Sequence, residues 1–407
     1  MYLLADSVQV SFCATSLMQL NYDVLRRICD HLDDDGDILA MSQTCRAVRS
    51  NAIKRFLSHR PIVLSDSGSI RPFHKLLSAD PPARFQHVLS LHMHFLSLEE
   101  GDRLELSQRL SDILTRSTRL QSIAILSPAI LFACLEEEEL SRALCALENI
   151  RSLRLGDCGT AAQNISKNIR SPIQVLRVEL DDGPSLSPSQ LDAHISHLGP
   201  SLLELDIDSI GSLSGPECFC YPAMRSVTLR CVEGPLCIDA LLHMFPSLEG
   251  ALVILDVKDS PGNPNFADTT VLHCIRTRNK DVQAHAKWQR LDKVCCDAFT
   301  FAMLGLLCPI RRLDLESYCV HWKELVGDGL RDSTPSRLRL SVLLGHGLAV
   351  FDNMLPPEVF PTLTHLTLVL RFSNTAYDAL ADPNFASSFQ PSDILVSDDM
   401  TWMPATR

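Results

Sequence analysis

The stretch NIRSLRL, Asn149–Leu155, sets Ile150, Leu153 and Leu155 in the order apolar, two residues, apolar, one residue, apolar. The last two alternate as a strand with one buried face requires, and the first projects from the turn entering that strand. The same triplet occurs upstream as Val88-Leu91-Met93 and Leu120-Ile123-Ile125. Downstream it continues as Ile173-Leu176-Val178, Leu202-Leu205-Ile207, Met224-Val227-Leu229 and Leu248-Ala251-Val253. After a gap it returns at Ile310-Leu313-Leu315 and Leu363-Leu366-Leu368. Helix-type spacing fills the intervals, with Leu106, Leu110, Ile113 and Leu114 in one and Leu131, Leu135, Leu140, Leu144 and Leu147 in another. No such unit buries its apolar face alone; neighbours must stack to make a continuous core. The expected fold class is therefore α/β.

Most intervals between triplets fall in the ~20–29 residue range of leucine-rich repeats, with slight expansions. Residues 86–371 are accordingly expected to form an irregular leucine-rich-repeat solenoid. The register breaks at about 256–290, where DVKDSPGNPNFADTT (Asp256–Thr270) is rich in Pro, Gly and Asp and reads as an inserted loop. A helix and an aberrant strand around Trp288 and Leu291 are expected to follow it. Long insertions are often functional, so this one is a candidate target contact. Residues 61–85 read as a linker with one short helix, and 372–407 as a poorly ordered polar tail.

The front of the chain has a different pattern. In YDVLRRICDHLDDDGDILAMSQTCRAV (Tyr22–Val48), Val24, Leu25, Ile28 and Leu32 share one helical face, with Asn21 as its expected N-cap. Asp33-Asp34-Asp35-Gly36 ends that helix and favours the start of a second, carrying Ile38, Leu39, Met41, Ser42 and Cys45. A third holds Ala47, Val48, Ile53, Phe56 and Leu57 and stops before Pro61. Three helices this short share a very small core, so the surplus apolar side chains suggest a partner surface.

The string Leu20-x-x-Asp23-Val24-Leu25-x-x-Ile28-x-x-x-Leu32, then Asp37-Ile38-Leu39-x-Met41-Ser42-x-Thr44-Cys45-Arg46, resembles an F-box over residues 20–60, as found in fungal F-box proteins. Residues 1–19 would then be an N-terminal extension. The resemblance implies a three-helix unit docking on the Skp adaptor of an SCF-type cullin–RING ubiquitin ligase, with Leu20, Leu25, Ile28, Leu32, Ile38, Leu39, Met41, Cys45 and Val48 as the adaptor-binding residues. It further implies a non-catalytic substrate receptor whose repeats bind a target protein for ubiquitin-dependent degradation. Two positions depart from the family pattern: Asn21 stands where proline is usual, and Val48 where tryptophan is usual. Replacing an indole by an isopropyl group removes ~100 Å² of apolar contact, or ~2–3 kcal/mol. The alternative is an interaction scaffold whose F-box-like helices only cap the repeat stack.

Composition narrows the function classes. The chain has 407 residues, 46% hydrophobic and 21% charged, which is the balance of a folded water-soluble protein. A net charge of −12 opposes broad attraction to nucleic acid or anionic lipid. The basic cluster Arg276, Arg278, Lys280, Lys287 and Arg290 reads as a solvated loop, and Glu136–Glu139 as a wet helix face. The 15 cysteines lack paired spacing, pointing to a reducing compartment and buried thiols. No basic start precedes an early apolar core, and no apolar run reaches the ~20 residues that span a bilayer. An intracellular protein of cytoplasm or nucleus is expected, without membrane or nucleic-acid partners.

Motifs for catalysis are missing. GSLSG at Gly211–Gly215 has Leu213 where a nucleophile elbow needs serine, and neither a Walker A nor an HExxH occurs. His92 with His94, and His194 with His197, could each pair on one face, but neither has the three or four ligands a metal site needs. Cys218 with Cys220 and the adjacent Cys295 and Cys296 also miss zinc spacing. No cofactor, metal or catalytic residue is expected, and a hydrolase hidden in an irregular α/β fold is the remaining rival.

Overall fold

A computed structural model describes residues 22–44, 46–79, 84–95, 103–128, 130–131, 135, 137–156, 160–179, 187–211, 213, 219–233, 236–257, 269–344 and 348–371. The extension 1–19, Leu20, Asn21, Cys45, the inserted segment 258–268 and the tail 372–407 lie outside the described residues. Among the described residues the fold is α/β, with twelve strands and twelve α-helices. The strands follow chain order in the sheet, and every described pairing is parallel. The chain divides into two compact units.

The first unit, residues 1–156 with 168–171, opens with helices α1 (Tyr22–His31), α2 (Asp35–Thr44) and α3 (Arg46–His59). Leu25, Cys29, Ile38, Val48 and Ala52 form their buried core, flanked by Leu32, Met41 and Phe56. The acidic turn works as its sequence suggests: the Asp34 carboxylate accepts the Asp37 amide at 3.0 Å, satisfying a free donor at the start of α2. Arg55 on α3 reaches back to the same turn, its Nε donating to the Leu32 carbonyl at 3.4 Å. The inward face of α1 is Leu25, Cys29 and Leu32 rather than Val24, Leu25, Ile28 and Leu32. Cys29 acts as a small hydrophobe, and counting it rotates the buried stripe away from Val24 and Ile28.

The expected linker over 61–85 holds more structure than one short helix. Strand β1 (Ile62–Leu64) pairs with β2 (Ser90–Met93), aligning Ile62 with Leu91 and Leu64 with Met93. Three residues are too few to show a period. Between them α4 (Ser67–Ser78) starts in a capping box: Asp66 Oδ1 accepts the Ser69 amide at 2.6 Å, and Ser69 Oγ accepts the Asp66 amide at 3.2 Å. Helix α5 (Arg103–Arg116), strand β3 (Ser122–Ile125), helix α6 (Glu137–Cys145) and strand β4 (Ser152–Leu155) complete the unit. Leu91, Ile123 and Leu153 align across three strands, as do Met93, Ile125 and Leu155, and all six are buried.

The second unit holds residues 157–167 and 172–407. Its elements are α7 (Thr160–Asn168, ending just past the boundary), β5 (Val175–Val178), α8 (Pro188–Ile195), β6 (Glu204–Ile207), β7 (Ser226–Arg230), α9 (Ile238–Met244) and β8 (Ala251–Leu255). Then come α10 (Thr269–His285), β9 (Leu291–Asp297), α11 (Ala298–Leu304), β10 (Ile310–Tyr318), α12 (Lys323–Ser333), β11 (Arg337–Leu343) and β12 (His365–Arg371). One apolar row runs through register-matched positions: Leu176, Leu205, Val227, Leu252, Val294, Leu313 and Leu338, all buried. Burying each such side chain contributes ~1.5–3 kcal/mol before the cost of ordering it.

Two repeat readings shift here. In β8 the inward residues are Leu252 and Ile254, not Ala251 and Val253. One extra residue separates them from Leu248, and it is accommodated by Gly250, where an added Cβ would lie 2.7 Å from the Arg225 carbonyl oxygen. The gap in the pattern also closes, because Leu291, Val294 and Cys296 form a buried triplet on β9. Trp288, just before it, is buried, with its indole N–H donating to the Phe245 carbonyl at 2.8 Å.

Helix α10 corrects the solvated-loop reading of the basic cluster. Arg276 is 5% exposed; it donates to the Ala302 carbonyl at 2.8 Å and pairs with Asp332 at 2.7 Å. Asn279 and Gln283, one and two turns further on, are buried too. Asn279 Nδ2 donates to the Met303 carbonyl at 2.9 Å, and Gln283 Nε2 to the Gly305 carbonyl at 2.9 Å. Gln283 Oε1 accepts the Leu307 amide at 3.0 Å. This polar face satisfies the carbonyls at the end of α11, which would otherwise be buried without partners.

Candidate functional site

Among the described residues of the α1–α3 module, three large apolar side chains are partly open to solvent: Val24 at 41%, Ile28 at 38% and Leu39 at 40% exposure. Val24 and Ile28 are four residues apart and share a face of α1. Leu39 follows buried Ile38 on α2. None of the three belongs to the buried core of the module.

The expected adaptor residues divide accordingly. Ile28 and Leu39 are exposed, while Leu32 and Met41 are half-buried at the edge of the core. Leu25, Ile38 and Val48 are 4%, 0% and 1% exposed and serve the module's own interior. Val48 thus packs inward at the position where the F-box pattern has tryptophan. Leu20 and Cys45 lie outside the described residues. Val24 belongs with the exposed group; the signal for it was its four-residue spacing from Ile28. On the far flank of α1, Arg26 and Asp30 join Asn51, Lys54, Arg55 and Ser58 of α3 around a polar cavity of ≈ 180 Å³.

The chain matches no known protein family, and no curated protein matches it.

Several outward residues of the second unit's strands are charged. Arg177 on β5 and Asp206 on β6 are register neighbours, and Arg230 on β7 reaches Asp206 at 3.1 Å. Burial pushes the Asp206 carboxyl above its ordinary range, outweighing the nearby Arg230 and Arg177. Further along, Arg312 Nε holds both oxygens of Asp314, at 3.0 and 3.1 Å, and Arg339 pairs with Glu316 at 2.6 Å.

Of the remaining sequence candidates, Cys218 lies outside the described residues. His92 is half-buried and His94 exposed; burial, then Arg154, lowers the His92 pKa. His194 is lowered by burial and Lys167. Cys295 and Cys296 point to opposite faces of β9, and burial raises both thiols, Cys296 the further. Cys308 is pushed up to about 11 by burial. Such thiols hold little thiolate at neutral pH. Among the described residues no three His, Cys, Asp or Glu side chains converge as a metal site, and no helix is long and apolar enough to cross a membrane.

Proposed function

We propose that this chain is the substrate-recognition subunit of an SCF-type cullin–RING ubiquitin ligase. Its α1–α3 module is an F-box that docks on a Skp-type adaptor, and the strand–helix repeats form an irregular leucine-rich-repeat solenoid that holds a target protein. The observation carrying this reading is the exposure of Val24, Ile28 and Leu39 on a module whose core is already filled by Leu25, Cys29, Ile38, Val48 and Ala52. A few apolar side chains of this kind dominate a docking surface, the rest of the contact contributing fit. The chain itself carries out no chemistry; it raises the local concentration of target lysines near catalytic subunits.

Co-purification of the full chain with a Skp-type adaptor tests the reading. Ile28→Lys is expected to abolish recovery of the adaptor while leaving the melting profile of the chain unchanged. Recovery at the wild-type level, from a folded variant, refutes it.

A second reading rests on one contact: α3 packs against the 3₁₀ turn Phe85–His87 that leads into β2. The three helices would then only cap a repeat scaffold, since the end of a repeat stack needs its core covered. Under that reading Ile28→Lys changes no interaction of the chain.

A further inference from the structure

Lys293 on β9, Arg312 on β10 and Arg337 on β11 are register partners on three adjacent parallel strands, and His365 on β12 is next in the row. Neighbouring strands lie ~4.8 Å apart, so three cations stand side by side over ~10 Å. Like charges directly opposite one another in a sheet are unfavourable. Asp314 relieves part of the repulsion, with Arg312 bonded to both its oxygens and Lys293 Nζ at 3.8 Å. It is already committed, its side chain only 5% exposed. Arg337 is exposed and makes no ion pair among the described residues. On the same face, Arg339, level with Asp314, and Arg371, level with Leu343, both converge on Glu316, each at 2.6 Å. With Asp297, level with Glu316 at the end of β9, the patch sets five cations against three carboxylates, in a chain whose net charge is −12.

We propose that the outward face of β9–β12 is a binding site for a short acidic segment of another polypeptide, with Arg337 as the free cation that receives a carboxylate. The length of the row matches three or four residues of extended chain at ~3.3 Å each. A nucleic acid fits less well, because Asp314 and Glu316 sit among the cations and the chain as a whole repels a long polyanion. The site lies within the second unit and does not depend on adaptor docking.

The test is fluorescence anisotropy of a labelled hexaglutamate peptide titrated with the full chain at low ionic strength. Binding is expected, weakening at least tenfold at ~0.5 M salt, where screening shortens to a few ångströms. Arg337→Glu is expected to weaken binding at least tenfold with an unchanged melting temperature, and Arg337→Lys to retain most of it. Absence of binding, equal binding by Arg337→Glu, or tighter binding of a single-stranded oligonucleotide of equal charge overturns the proposal.

Discussion

Leu25 and Ile28 lie three residues apart on α1, yet Leu25 is 4% exposed and Ile28 is 38% exposed. The boundary between the module's core and its free face passes between them. Leu25→Ala leaves a cavity beside Cys29 and Ile38 and is expected to cost ~2–5 kcal/mol, lowering the thermal midpoint of the module. Ile28→Lys changes no residue of the buried core and introduces a good helix former, so its cost is expected to stay below ~1 kcal/mol. Circular dichroism melts of the two variants check this contrast.

The α10 anchor predicts a second loss. Arg276→Met removes the donor to the Ala302 carbonyl and leaves Asp332 with Lys280 alone, at 2.9 Å. Breaking a buried pair from one side is expected to cost ~3 kcal/mol or more. Urea unfolding followed by tryptophan fluorescence reads this out, since the buried Trp288 indole lies in the same unit. A midpoint equal to wild type contradicts the anchor.

Much of the α/β framework was legible because inward strand residues are aliphatic and alternate. The β9 triplet went unread where Cys296 takes the place of Leu, and β1 because three residues show no period. In β8 the inserted Gly250 slid the frame by one, which in a strand exchanges the two faces. The α10 network was illegible for a different reason. The basic cluster at Arg276 reads as a solvated loop, and the partners of Arg276, Asn279 and Gln283 lie more than twenty residues away in α11, α12 and the turn after α11. At the candidate site, the period marked Val24, Leu25, Ile28 and Leu32 together; only packing of Cys29 decides which of them face inward.

Two glycines should respond oppositely to a methyl group. At Gly156 an added Cβ lies 2.6 Å from the Leu126 carbonyl oxygen, so Gly156→Ala is expected to destabilise by ~1–3 kcal/mol. At Gly327, inside α12, the nearest atom is Pro356 Cγ at 3.4 Å. Gly327→Ala is expected to stabilise by ~0.5–1 kcal/mol through higher helix propensity. Paired thermal melts decide both.

Glu316 gives a pH signature. Burial pushes its carboxyl up, but the nearby Ser341, the hydrogen bond from Arg339 and the charges of Arg371 and Arg339 outweigh this and hold it below its ordinary value. The unfolded chain therefore binds this proton more readily, so the stabilisation is present above the unfolded pKa and is lost as pH falls through the folded one. Glu316→Gln is expected to lower stability at neutral pH and to flatten the loss toward acid. An unchanged pH profile in that variant contradicts the assignment.

The docking claim is tested most directly by isothermal titration of the purified full chain with a purified Skp-type adaptor, wild type beside Ile28→Lys. The expected result is one-to-one binding by the wild-type chain, weakened at least tenfold by the single exposed charge. Two folded proteins that show no heat of binding at high concentration, or a variant that binds as tightly as wild type, would contradict it.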